Sequence, residues 1–149
     1  MDTILWAEES DNYTVRAFKN HDIYNSEDQK SFVLTLFDNL DFIPCNLLDI
    51  GCGYGATLDM IRKRNKKINL FGLDPGKKSI YFAKKKIKNA VFVQGHSHNL
   101  PFNDFSMDVV ILNMVFQWIP RQFLLTHIAG PGNNNSKKAV NNPVFINNL

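Results

Sequence analysis

The chain has 149 residues, of which 44% are hydrophobic and 21% charged, and its formal net charge is +3. Such a length suits one domain with a core of its own, and the composition excludes an intrinsically disordered chain. The small charge compels neither a nucleic-acid nor a membrane partner, and an N-terminus carrying Asp2, Glu8 and Glu9 without an uninterrupted apolar segment reads as neither signal peptide nor membrane span.

Residues 1–25 mix Trp6, Tyr13, Phe18 and Tyr24 with charges and show no clear period. They read as a helical or irregular lead-in, placed as a flap over a site formed further along. Ser26-Glu27-Asp28-Gln29 has the pattern of a capping box, a serine followed three residues later by glutamine. Phe32, Val33, Leu36, Phe37 and Leu40 then give an apolar face at helical spacing, and Pro44 closes the region.

Leu47 to Ile50 form a short apolar run closed by glycine, which predicts a buried parallel strand. Gly51, Gly53 and Gly55 alternate with Cys52 and Tyr54, and Leu58, Met60 and Ile61 then begin a helix. Glycine belongs where the backbone takes positive φ or where a ligand approaches the main chain closely. The helix after such a turn aims free N–H groups at whatever lies above it. Cys45 and Cys52 flank the strand without metal-ligand spacing and fit a reducing interior, so the expected location is the cytoplasm.

A second strand is expected over residues 68–73, then Asp74-Pro75-Gly76 and a helix with Ile80, Phe82, Ala83 and Ile87 inside. Ala90 to Gln94 is the third strand, residues 96–106 a polar loop, Met107 to Asn113 the fourth strand, and Val115 to Ile128 a helix broken by Pro120. Strands alternating with helices mean an α/β fold: a Rossmann-like parallel sheet, order 3-2-1-4, with helices on both faces.

Asp74 ends the second strand nineteen residues after Gly55. That is close to the spacing of about 20 at which an acid meets a ribose in dinucleotide folds. Asp-Pro-Gly is equally a helix start, so Asp74 alone leaves both roles open. Beside the first glycine turn it favours an adenosine-containing ligand at the strand ends. Ala56-Thr57 lacks the lysine of a phosphate-binding loop, and the glycines follow G-x-G-x-G with Asp49 two residues upstream. An anion there repels a pyrophosphate and suits a cationic amino group, which points from NAD towards S-adenosylmethionine.

Four segments together resemble the class I S-adenosylmethionine-dependent methyltransferases, in their small-molecule branch: Leu48-Asp49-Ile50-Gly51-Cys52-Gly53-Tyr54-Gly55, Gly72-Leu73-Asp74-Pro75, Gly95 through Phe102, and Ser106-Met107-Asp108-Val109-Val110. The likeness covers roughly residues 27–120 and names no substrate. It implies that Asp49 holds the cofactor's amino group, partly through water, while the backbone from Gly51 through Cys52 and Gly53 to Gly55 packs against the methionine moiety. Asp74 takes the ribose hydroxyls and Pro75 lies near the adenine. His96 stands where the family usually has an aspartate for the adenine amino group, Ser97 offers its backbone N–H, and Asn113 lies beside the sulfonium and substrate. The implied reaction is an in-line methyl displacement onto a small-molecule acceptor. Candidates for an optional base are His96, His98, His127 and Asp104.

Residues 62–67 and 84–88 carry the basic runs and read as solvated helix ends, with no metal site and no nucleic-acid partner expected. From Gly130 the sequence is asparagine-rich, a low-complexity tail over 130–149 in which Val144-Phe145-Ile146 offers one short strand at most. The expected domains are therefore a lead-in, 1–25, a shortened methyltransferase domain, 26–129, and the tail, with the fourth strand left as an apolar edge. A dimer or partner chain covering that edge is the alternative. Two rival functions remain, a non-catalytic cofactor-binding module and a nicotinamide-dependent oxidoreductase.

Overall fold

A computed structural model of the chain describes residues 3–19, 27–113, 115 and 145–146. The centre of the fold is β1, Asn46–Ile50, whose residues from Leu47 to Ile50 are all buried. It lies between β2, Asn69–Asp74, and β4, Val109–Ile111, with Leu48 opposite Phe71 on one side and Val110 on the other. β3, Ala90–Gln94, pairs with β2, and β5, Phe145–Ile146, pairs with β4, so the parallel order is β3-β2-β1-β4-β5. The expected order 3-2-1-4 is observed. The apolar edge of β4 is not bare, because β5 pairs with Val110 and Ile111.

Strand alternation divides the core in two. On one face Leu47, Leu70, Phe92, Val109 and Ile111 meet three helices: α2, Glu27–Asp38; α3, Ala56–Arg64; and α4, Lys77–Lys86. Val33 of α2, Leu58 and Ile61 of α3, and Ile80 and Ala83 of α4 are the buried helical partners. Each large side chain so buried contributes roughly 1.5–3 kcal/mol. On the other face Leu48, Ile50, Leu73 and Val110 are covered by Phe102 and Met107 of the β3–β4 connection. The helix expected over 115–128 lies, apart from Val115, outside the described residues, as does the Ser26 cap of α2.

The lead-in is α1, Thr3–Lys19, packed against α4. The basic runs end α3 and α4, where Lys63 pairs with Asp59 at 3.0 Å and the Arg62 guanidinium donates to the carbonyls of Lys66 and Asn89, each at 2.7 Å. No described helix is long and apolar enough to cross a membrane.

Candidate functional site

The glycine turn after β1 is built by backbone necessity. Gly51, Gly53 and Gly55 have φ of +75°, +52° and +79°, values that cost a residue with a side chain about 1–2 kcal/mol. The Gly51 and Cys52 N–H groups both donate to the Leu73 carbonyl, at 2.7 and 3.1 Å, which pins the turn to the end of β2. A Cβ on Gly53 would meet nothing within 4 Å, whereas one on Gly55 would press on Ile87, Ala83 and Phe92 at 3.3–3.4 Å. Gly53 therefore opens onto free space. Gly55, expected to bind the cofactor, faces the core, where it lets α3 start close against α4 and β3.

That free space is a hollow of about 310 Å³ at the carboxyl ends of β1, β2 and β4. Asp49, Gly51, Cys52, Gly53, Asp74, Pro75, His96, Ser97 and Asn113 all line it, so nine of the ten expected positions meet in one place. Of the four candidate bases only His96 is among them; exposed His98 stacks on the His96 ring at 5.4 Å without lining the hollow, Asp104 is exposed on the β3–β4 connection, and His127 is outside the described residues.

Asp49 and Asp74 are both 3% exposed, and they differ in their partners. Asp74 is held by three donors: the Ser10 hydroxyl and the Gly76 N–H (2.8 Å) on Oδ1, and the Gly53 N–H (2.9 Å) on Oδ2. Burial raises its pKa and those donors pull it back. No described residue donates to the Asp49 carboxylate, and burial, reinforced by the Asp74 charge, pushes its pKa up to about 8. A cation entering the hollow beside Asp49 reverses that shift. Burial, with the two carboxylates, also raises the Cys52 thiol, which stays protonated and packs in the core. Burial and the neighbouring His98 lower the pKa of His96, leaving a neutral imidazole. The Asn113 carboxamide oxygen is buried without a hydrogen-bond partner among the described residues. An open backbone, a buried acid without a donor and an orphaned acceptor fit a ligand with a cationic amino-acid tail and a nucleoside.

The lead-in, expected as a flap, reaches the site through α1, and with it come Glu9 and Ser10, to which the sequence pattern gives no role. Trp6, Glu9, Ser10 and Tyr13 line the hollow, and the Trp6 ring lies 5.9 Å from that of His96. Asp11 Oδ1 accepts from the Lys78 and Ser79 N–H groups at 2.8 and 3.2 Å, capping α4, whose own N-cap Gly76 has no side chain to do so. Thr14, fully buried, shares a 2.6 Å hydrogen bond with Ser79.

The methyltransferase domain family matches residues 48–129. A demethylmenaquinone methyltransferase of Thermotoga maritima is 31% identical over 78 residues, which are 52% of this chain and 34% of the relative. A malonyl-[acyl-carrier protein] O-methyltransferase of Xylella fastidiosa is 31% identical over 91 residues, 56% of this chain and 31% of the relative. The chain thus spans about a third of the length of these relatives. Among solved structures, the plantazolicin methyltransferase BpumL in complex with a triazolic desmethylPZN analogue and SAH superposes with a TM-score of 0.63 at 23% identity, covering 76% of this chain and 47% of that one. That likeness is one of fold.

Proposed function

The chain belongs to the methyltransferase domain family, within the class I S-adenosylmethionine-dependent methyltransferases, and on that premise we propose that its hollow holds S-adenosylmethionine for methyl transfer to a small-molecule nucleophile. The observation that carries this reading is Asp49, a buried carboxylate to which no described residue donates. Burial holds that carboxyl protonated up to about pH 8 in the empty site, and a cation brought by the ligand is what favours its ionised form. An α-ammonium on an amino-acid tail answers that need, and the pyrophosphate of NAD does not.

When bound, the cofactor supplies a methyl group already activated by its positive sulfur. The chain's own part is to bind, orient and exclude water. Asp49 holds the ammonium and the Gly51–Gly53 backbone passes beneath the tail. Asp74 receives the ribose, Pro75 and His96 border the base, and Ser97 offers its N–H. Asn113 stands by the reacting centre, and α1 walls the outer side. The reading includes a methyltransferase domain over 26–129, a cytoplasmic location, and a dimer or partner chain at the fourth strand, on which β5 pairs with Val110 and Ile111. Size-exclusion chromatography reads the last of these.

Titration calorimetry of the full chain with S-adenosylmethionine, S-adenosylhomocysteine and NAD tests the assignment. Heat is expected from the first two, and Asp49→Asn, which keeps the shape and removes the charge, should weaken both roughly 10- to 100-fold. Heat from NAD alone would sink the proposal.

A further inference from the structure

Resting on that reading, we infer that Ser10 of α1 is a ribose-reading residue, so that the two ribose hydroxyls are divided between Asp74 Oδ2 and Ser10 Oγ. A carboxylate offers about four acceptor sites. On Asp74, Oδ1 already accepts from the Ser10 hydroxyl and the Gly76 N–H, and Oδ2 accepts from the Gly53 N–H. Counting the described residues, one site remains, on Oδ2, and a diol brings two donors. Ser10 Oγ gives its only proton to Asp74 and so faces its surroundings as an acceptor, with Ser79 Oγ 3.1 Å away as its one hydroxyl neighbour among the described residues. It lines the hollow beside Asp74. The second hydroxyl therefore finds its acceptor on α1 instead of on β2.

Ser10 is held there independently of any ligand. Asp11, the next residue, caps α4 through Lys78 and Ser79, and Thr14, one turn on, is bonded to Ser79. The absence of a side chain at Gly76 makes room, since a Cβ there would lie 2.6 Å from Asp11 Oδ1 and 2.8 Å from Ser10 Oγ. A position fixed from three sides presents its oxygen at little entropic cost.

The test is calorimetry of the wild type, Ser10→Ala and Asp11→Ala with S-adenosylhomocysteine and its 2′-deoxy and 3′-deoxy analogues. Loss of one neutral hydrogen bond corresponds to roughly a three- to tenfold change in affinity. In Ser10→Ala the parent ligand should weaken by that factor, while one of the two deoxy analogues binds both proteins alike. Asp11→Ala, which keeps the hydroxyl and loosens its hold, should spare the same deoxy analogue and weaken the other two ligands by less than Ser10→Ala does. Unchanged or tighter binding of S-adenosylhomocysteine by Ser10→Ala would overturn the inference, because Ser10 would then only be occupying the place of a ribose hydroxyl. Equal losses for all three ligands in Ser10→Ala would overturn it as well. A wild type that binds none of them removes the cofactor reading itself, and the inference with it.

Discussion

The Asp11 carboxylate accepts the backbone N–H of Lys78 at 2.8 Å, so a residue of α1 caps a helix more than sixty positions further along the chain. The same oxygen takes the Ser79 N–H, and the negative charge sits at the positive end of α4. Asp11→Ala is expected to lower stability by about 1 kcal/mol, the usual worth of a cap. For a chain of this size that corresponds to a fall in Tm of about 2–5 °C, measurable by differential scanning fluorimetry. Trp6 should report the loosening of α1 through its emission, since its ring packs on His96. An unchanged Tm would mean that water caps α4 equally well.

Asp49 gives the unliganded chain a pH dependence of known sign. Its carboxyl titrates near 3.8 when unfolded and near 8 when folded. The folded state therefore binds the extra proton between those values, and stability is full below about 4 and declines as pH rises through 8. Urea midpoints at pH 6 and pH 9 should show the fall, and Asp49→Asn should remove the Asp49 share of it, leaving that of Asp74, whose carboxyl burial also raises. The cofactor's ammonium favours the ionised carboxylate, so binding below pH 8 releases a proton and tightens as pH rises. Calorimetry in buffers of different ionisation enthalpy would read that proton directly. An observed heat independent of the buffer would count against Asp49 as the ammonium partner.

Gly53 and Gly72 should fail in different ways when given a methyl group. At Gly53 the added carbon meets open space, but φ is +52°, so Gly53→Ala should cost about 1–2 kcal/mol of stability and narrow the hollow. At Gly72, in the middle of β2, the carbon would lie 2.5 Å from the Phe92 ring and 2.8 Å from Cys52 Sγ. Overpacking of that kind costs roughly 1–3 kcal/mol. Affinity should therefore fall further in Gly53→Ala than in Gly72→Ala, as comparison of denaturation midpoints with S-adenosylhomocysteine titrations would show.

The difference between β1 and α1 explains what sequence patterning can and cannot see. β1 is buried on both faces and flanked by glycines of positive φ, so its apolar run and the turn after it leave a local mark, and Asp74 follows at a fixed distance. β3 is legible as well, its observed bounds matching the expected Ala90 to Gln94. On α1 the inward positions 6, 10, 14 and 17 are helically spaced, yet two of them carry hydroxyls, Ser10 and Thr14. Hydropathy has no signal for a helix that docks through hydrogen bonds. Gly55 misleads for a related reason. It shares the positive φ of Gly51 and Gly53, and only the packing of Ile87 and Phe92 against it shows that it faces inward.

Asp74 is a poor place to test cofactor binding by deletion. Its carboxylate is 3% exposed and holds the Gly53 N–H, the Gly76 N–H and the Ser10 hydroxyl at once. Asp74→Ala leaves all three donors without their acceptor, at about 1–3 kcal/mol for each that stays buried and unpaired. The turn after β1, the start of α4 and the dock of α1 all meet at this one side chain, so the loss should spread to each. The expected result is a variant destabilised by several kcal/mol, with a urea midpoint well below that of Asp49→Asn, and ligand binding lost along with the fold. Asp74→Asn keeps one acceptor oxygen and should recover part of the stability while still binding the nucleoside weakly. A fully stable Asp74→Ala would show that water replaces the carboxylate at all three donors.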